Sequence, residues 1–325
     1  MNKMKSISAL VIVIALGFAS CEYDRDELEQ MAAVGGNSSD TSSLLIHTNI
    51  IGQVSIAGYL MQVTNALENL NIPENINIDK IQSPFSISNI DLDAFAVIIG
   101  KETANANIND TITQRELRWN DANTVLRIRR DRQYLSGFCG DRQFDPQKGN
   151  LLPVTKDRAI YLADSYNKYL GIPSEELSLP VTDTITYGYE NLTSKTEKKY
   201  EGNRVVIYNR IIAGYEVMVD RVYYMFSNSG ELASLRVQWP AFKTSDLGKS
   251  IKKKELIAQE IANSIDKTAV GAPIQVDGDP EIVWLPDRDS DPIQYSLQVK
   301  MTVVEDRTKE HSNPGGFDIY TPIYQ

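Results

Sequence analysis

The run Tyr208-Asn209-Arg210-Ile211-Ile212-Ala213-Gly214-Tyr215-Glu216-Val217 leads through Met218 and Val219 into Asp220-Arg221-Val222-Tyr223-Tyr224-Met225-Phe226. It closes with Asn228-Ser229-Gly230-Glu231-Leu232-Ala233-Ser234-Leu235. β-Branched and aromatic residues dominate it, which predicts strands over 204–209, 215–226 and 232–239. Val217 and Val219 share one parity, whereas Val222, Tyr224 and Phe226 share the other. A bulge near Asp220-Arg221 would bring both sets to one buried face. Gly214 lets the chain bend or another backbone approach, and Asn228-Ser229-Gly230 has turn chemistry, because glycine accepts positive φ without strain. Upstream, 183–189 reads as a further strand. Before it, Ile160, Tyr161, Ala163, Tyr166, Tyr169 and Leu170 form a helical stripe, capped by Thr155 and stopped by Gly171 and Pro173. This stretch is a helix followed by an antiparallel meander.

The same order recurs in shorter form. Leu256, Ile257, Ile261 and Ile265 mark an amphipathic helix over 252–265, followed by strands over 281–285, 293–304 and 317–323. Helix then strands, twice, predicts an α+β fold built from tandem helix-plus-antiparallel-sheet units, over 151–245 and 246–325. The region 44–150 precedes them as helix and strands. Ile50, Val54, Ala57, Leu60, Met61 and Leu67 recur at helical spacing within 44–70. Phe95-Ala96-Val97-Ile98-Ile99 suits a buried strand or part of a helix, and Leu126 and Ile128 alternate with Arg127 and Arg129 as in a half-buried strand.

The beginning of the chain speaks to location. Lys3 and Lys5 precede an uncharged, almost wholly apolar stretch over 7–18, then Ala19, Ser20 and Cys21. A basic head, a short apolar run and small residues describe a secretory signal peptide over 1–20. The run is shorter than the ~20 residues of a spanning helix. Phe18-Ala19-Ser20-Cys21 resembles a bacterial lipobox, although Phe18 stands where leucine is usual. The resemblance implies acylation of Cys21, a membrane anchored to the protein through lipid, and residence in the cell envelope at the outer membrane. Residues 21–43 are acidic and then rich in glycine, serine and asparagine, the composition of a flexible tether. Loss of Lys3 and Lys5 with the signal takes the net charge from −10 to −12. Nucleic acid is excluded as a partner, because counterion displacement needs clustered positive charge. With Cys21 acylated, Cys139 has no thiol to pair with.

The stretch from Tyr208 to Leu235 resembles the propeptide modules of thermolysin-type and fungalysin-type proteases and their PepSY relatives, which are cystatin-like in fold. Glu281-Ile282-Val283-Trp284-Leu285-Pro286 and Ile293-Gln294-Tyr295-Ser296-Leu297-Gln298-Val299 resemble the later part of the same layout. In proteases such modules inhibit an attached catalytic domain and assist its folding. Here no H-E-x-x-H motif exists, and the two histidines, His47 and His311, lack that spacing. The resemblance therefore implies a non-catalytic protein acting on a separate envelope partner such as a protease.

Other candidate sites are sparse. Asp287, Asp289 and Asp291 start like a calcium loop, but Pro292 replaces the sixth-position glycine and Gln298 the closing glutamate. A solvated hairpin loop is the expected reading. Cys139, between Phe138 and Gly140, has no base nearby in sequence. No cofactor is expected. The chain holds sixteen tyrosines, among them Tyr187, Tyr189, Tyr215, Tyr223, Tyr295, Tyr320 and Tyr324, which suit sheet surfaces and equally a glycan- or peptide-binding surface. Two alternatives thus stay open beside the partner-binding lipoprotein: a glycan- or peptide-binding lipoprotein, and a hydrolase with a site assembled from distant residues.

Overall fold

The computed structural model describes residues 56–73, 85–120, 124–145, 152–191, 196–268, 274–287, 289–290, 292–305 and 316–325. Among these, four α-helices form: α1 (Ile56–Leu67), α2 (Leu92–Ile98), α3 (Lys156–Leu170) and α4 (Lys254–Thr268). The strands are β1 (Asn107–Asp110), β2 (Gln114–Trp119), β3 (Thr124–Arg129), β4 (Tyr134–Phe138), β5 (Val181–Asn191), β6 (Thr196–Ile212), β7 (Tyr215–Phe226), β8 (Leu232–Gln238), β9 (Ile274–Val276), β10 (Glu281–Asp287), β11 (Gln294–Glu305) and β12 (Gly316–Pro322). The fold is α+β, with almost wholly antiparallel pairing. The chain divides into two compact units, one from 85–242 and one from 56–73 with 243–325.

In the first unit eight strands form one antiparallel sheet in the order β1-β2-β3-β4-β8-β7-β6-β5. After β4 the chain crosses the sheet as α3, then returns through the meander β5 to β8 until β8 lies beside β4. Five residue pairs join these two strands, from Tyr134↔Gln238 to Phe138↔Ser234, and the Cys139 amide adds a bond to the Ala233 carbonyl. This corrects the expected division at 150/151, which falls inside a single unit. The physical reason is the free edge of β4, whose backbone groups β8 satisfies.

The inner face of this sheet carries Leu117, Leu126, Ile128, Leu135, Val206, Tyr208, Val222, Tyr224, Leu235 and Val237. They pack against Phe95 of α2 and Ala159, Ala163 and Leu170 of α3. The 95–99 run is thus helical through residue 98, and Asp91 caps it by accepting from the Asp93 and Ala94 amides. Thr155 caps α3 through the Arg158 amide, and Gly171 ends it at φ 73°. Small residues, not tyrosines, form most of the buried stripe: Ala159, Ala163 and Asn167 lie under the helix, while Tyr161 and Tyr169 are exposed. Ala213 and Gly214, at φ 52° and 85°, form the turn between β6 and β7, which positive φ at both positions suits to a right-twisted hairpin.

The expected bulge in β7 exists and is larger than one residue. Asn209↔Arg221 is followed directly by Arg210↔Val217, so Met218, Val219 and Asp220 are extra. The insertion changes parity and puts Val217 and Val222 both inside, while Val219 is held at φ 68° and is not fully buried.

The second unit packs α4 on α1 and on β12. Its strands run β10-β11-β12, with β9 continuing the β10 side of β11. Ile257, Ile261 and Ile265 are buried as the spacing predicts, but Leu256 is exposed. On α1 the buried stripe is Tyr59, Val63 and Leu67, and Met61 points to solvent. The Lys254 ammonium donates to the carbonyls of Leu67 and Glu68, satisfying the α1 C-terminus. The helix at 56–67 therefore belongs with residues 243–325, not with the strands that follow it.

Candidate functional site

Strand parity sorts the first unit's side chains onto two faces. Both of its helices pack on the inner face, which leaves the outer face without a helix among the described residues of that unit. Toward β5, β6 and β7 the outer face is apolar, with Val205, Met225 and Ala233 buried beneath Ile185, Ile207 and Tyr223. Toward β2, β3, β4 and β8 it is polar and open.

The register sets this open half out as a grid. Arg118, Val125, Phe138 and Ser234 form one row; Glu116, Arg127, Ser136 and Arg236 form the next; Gln114, Arg129, Tyr134 and Gln238 form the third. Arg118 and Phe138 are exposed, Glu116 is buried, and the others are half-buried. Ser136 is central. Arg127 and Arg236 flank it along the row, and Tyr134 and Phe138 flank it along β4. Neighbouring strands lie about 4.8 Å apart, so the Arg127 and Arg236 backbones stand roughly 10 Å from each other.

Glu116 organises the arginines on one side. Its Oε2 accepts from Arg127 Nε at 2.6 Å and its Oε1 from Arg118 Nε at 3.0 Å. Burial pushes its carboxyl pKa upward, yet the hydrogen bonds and charges of Arg127 and Arg118 outweigh this and hold it below the ordinary value. Arg129 pairs with Asp131 at 3.1 Å. Burial raises the Tyr134 hydroxyl, opposed by the charges of Arg236 and then Arg127. Both guanidinium groups therefore act on the one phenol in the row beside Ser136. Tyr223, opposite Arg236 on β7, is likewise raised by burial and opposed by Arg236. Guanidinium groups with aromatic rings on a half-desolvated sheet can pair carboxylates bidentately and cover apolar groups.

A buried ion cluster anchors the β7 bulge. Arg210 is fully buried; its Nε donates to Glu176 Oε2 at 2.8 Å, and its Nη1 donates to Asp220 Oδ2 at 3.1 Å and to the Pro240 carbonyl at 2.7 Å. The Trp239 indole donates to the same Glu176 oxygen at 3.0 Å, and the guanidinium carbon lies 5.1 Å from the Trp239 ring centre and 5.7 Å from that of Phe242. The three extra residues of β7 thus carry Asp220 into contact with Arg210, which offsets the left-handed Val219 backbone.

The residues singled out in the sequence do not converge. Cys21, His47, His311 and Asp291 lie outside the described residues. Asp287 and Asp289 are exposed in the β10–β11 turn. There Asp287 Oδ1 accepts from the Asp289 amide, and the Asp287 carbonyl accepts from the Ser290 hydroxyl, so these groups close their own hairpin. Among the described residues no three histidine, cysteine or acidic side chains gather as a metal site. Cys139 is buried, and burial raises its thiol against the charge of Arg142. Tyr295 and Tyr324 are buried, while Tyr320 hydrogen-bonds Asp318. Tyr187 stacks on Phe144 at 4.8 Å, with its hydroxyl donating to Asn203 Oδ1 at 2.8 Å. The grid arginines had one signal in sequence, the alternation of Arg127 and Arg129 with Leu126 and Ile128, which fixes a face without showing what faces it. No protein-family model matches the chain, and no curated protein matches it.

Proposed function

We propose that this is a non-catalytic, lipid-anchored protein of the cell envelope, held at the outer membrane through Cys21, which binds and regulates a protein partner through the open half of the first unit's sheet. The observation that carries the reading is the grid around Ser136. It sets arginine and tyrosine, the side chains most enriched at energetically dominant interface positions, on a face that no helix of its own unit occupies. The PepSY- and propeptide-like resemblance supports the same role: a helix precedes an antiparallel meander turned at Ala213-Gly214 and Asn228-Ser229-Gly230. A protease of the envelope is the partner class this resemblance favours.

The test is a photo-crosslinking residue at Ser136 in intact cells, with the same probe at exposed Asp157 on α3 as control. A protein captured from Ser136 and not from Asp157 supports the reading; equal or absent capture removes it. A second reading, glycan recognition, is favoured by the half-exposed Phe144, Tyr187 and Tyr200 rings. A glycan array on which Tyr187→Ala abolishes a hit would establish it in place of the first.

A further inference from the structure

We infer that the partner's contact segment is an acidic, extended polypeptide, one of whose carboxylates seats over Ser136 between Arg127 and Arg236. The inference rests on the partner-binding reading and specifies the chemistry of the same face. Its first support is charge. The whole chain has a net charge of −10, yet the grid holds Arg118, Arg127, Arg129 and Arg236 with Glu116 as the one acid within it and Asp131, paired with Arg129, beside it. Arg221, exposed on β7 and paired in register with Gln238, extends the positive surface. Glu116 already shows which ligand these arginines take, since one carboxylate engages two of them.

The second support is shape. Ser136 is small, so the row between Arg127 and Arg236 dips, and a side chain carrying a carboxylate fits where a larger residue on β4 would fill the gap. The hydroxyl adds a donor at the floor. Tyr134 and Phe138 stand two residues to either side of Ser136 on the same face. An extended chain presents its alternate side chains at about 6.8 Å intervals, the same interval as along β4. A segment lying along β4 would therefore set a carboxylate over Ser136 and apolar side chains on Tyr134 and Phe138. Anionic polysaccharide satisfies the arginines but offers nothing apolar to the two rings, and a lipid surface presents no side chains at the strand interval that separates Tyr134, Ser136 and Phe138. Polypeptide is the chemistry that uses all five residues.

Binding of a fluorescein-labelled peptide with glutamates alternating with leucines tests this, measured by anisotropy on the full mature chain at low salt. The glutamine counterpart, polyphosphate, dextran sulfate and phosphatidylglycerol vesicles serve as competitors. The expected result is saturable binding of the glutamate peptide, weakened about tenfold by Arg236→Gln and by Ser136→Leu and unchanged by Lys156→Gln on α3. Thermal unfolding of each variant identifies any loss that comes from misfolding, and Arg236→Lys, which keeps the charge, supplies a second comparison. Equal binding of the glutamine peptide, indifference to Arg236→Gln in folded protein, or stronger competition by polyphosphate, dextran sulfate or vesicles than by unlabelled peptide would overturn the inference. Capture from Ser136 in cells together with failure of the peptide would sink this chemistry alone and leave the partner-binding reading standing.

Discussion

Replacing Arg210 with methionine tests the mechanical account of the sheet. Methionine keeps much of the side chain's length and its apolar contact with Trp239 and Phe242, so the main loss is charge and hydrogen bonding. Glu176 and Asp220 would be left buried without their shared cation, and the Pro240 carbonyl without its donor. Removing one partner of a buried ion pair costs about 3–5 kcal/mol, because an uncompensated charge stays in a low-dielectric site. Two carboxylates depend on this one guanidinium, which puts the expected cost in the upper half of that range. For a unit of this size each kcal/mol lowers Tm by roughly 2–4 °C, so a fall of about 8–20 °C is expected. Urea unfolding followed by tryptophan fluorescence gives the free energy, since Trp119 and Trp239 both belong to the affected unit. Arg210→Lys should recover part of the loss, as one ammonium cannot span the geometry of the guanidinium fork. The triple variant Arg210→Met, Glu176→Gln, Asp220→Asn should lie closer to wild type than Arg210→Met alone, because neutral amides are far cheaper to leave under-bonded than carboxylates. A cost below about 1 kcal/mol for Arg210→Met, with unchanged m-value, would refute the claim that this cluster holds the bulge.

Gly202→Ala drives a Cβ into the Tyr187 ring and to 2.7 Å from Phe144 Cγ, so a loss of about 1–3 kcal/mol and a changed near-ultraviolet circular dichroism spectrum are expected. Glu116→Gln should flatten the acid limb of stability: a carboxylate held below its ordinary pKa stabilises the fold above about pH 4.3 and loses that contribution as pH falls through its lower folded value, which urea midpoints between pH 7 and 3 would reveal. Tyr320 acts at the other end. Burial, then the charge and hydrogen bond of Asp318, push its hydroxyl up to about 12, so the fold favours the neutral phenol, and stability falls as pH rises from about 10 toward 12; Tyr320→Phe should lose less between pH 9 and 11 than wild type. Cys21→Ala should abolish incorporation of an alkyne-tagged fatty acid and release the protein from the membrane fraction, and retention of the label would overturn the anchor assignment.

What the sequence disclosed depends on how local its physics is. The β6–β7–β8 meander was legible because two short turns, Ala213-Gly214 and Asn228-Ser229-Gly230, bring together strands adjacent in sequence. The bulge was legible because the parity of Val217 conflicts with that of Val222, and only an insertion reconciles them. The union of β4 with β8 was not, since its partners lie about a hundred residues apart and nothing in Tyr134-Leu135-Ser136-Gly137-Phe138 names a partner. Ile50 and Val54 lie outside the described residues; within these the helices fall on the expected stripes, while the buried members of the stripes were partly misassigned. Alanine counts little in a hydrophobic pattern, yet Ala159, which the stripe left out, lies fully buried with Ala163 and lets α3 approach the sheet, whereas Tyr161 and Tyr169, which the stripe included, turn outward. Arg210 was hidden for a related reason: an arginine between Asn209 and Ile211 reads as solvent-facing, and its burial depends on Glu176 and Asp220 arriving from separate segments.

The candidate face follows from the same long-range pairing, and that explains why no local motif announced it. Arg127 and Arg236 are more than a hundred residues apart, on β3 and β8, and become near neighbours only because β4 lies between those strands. Their separation is then fixed by backbone hydrogen bonding instead of by side-chain flexibility, and Glu116 further restricts Arg127. Long cationic side chains ordinarily lose conformational freedom on binding, at roughly 0.5–1.5 kcal/mol each. Here the fold has already imposed part of that restriction. A simple charge count says Glu116 weakens the face for anions; its hydrogen bonds show a second effect of opposite sign, holding one guanidinium at the position where a partner's carboxylate would meet it. On the β3 side, the Glu116 carboxylate thus orients Arg127 before a partner's carboxylate arrives, so part of the ordering that binding requires is already present in the fold.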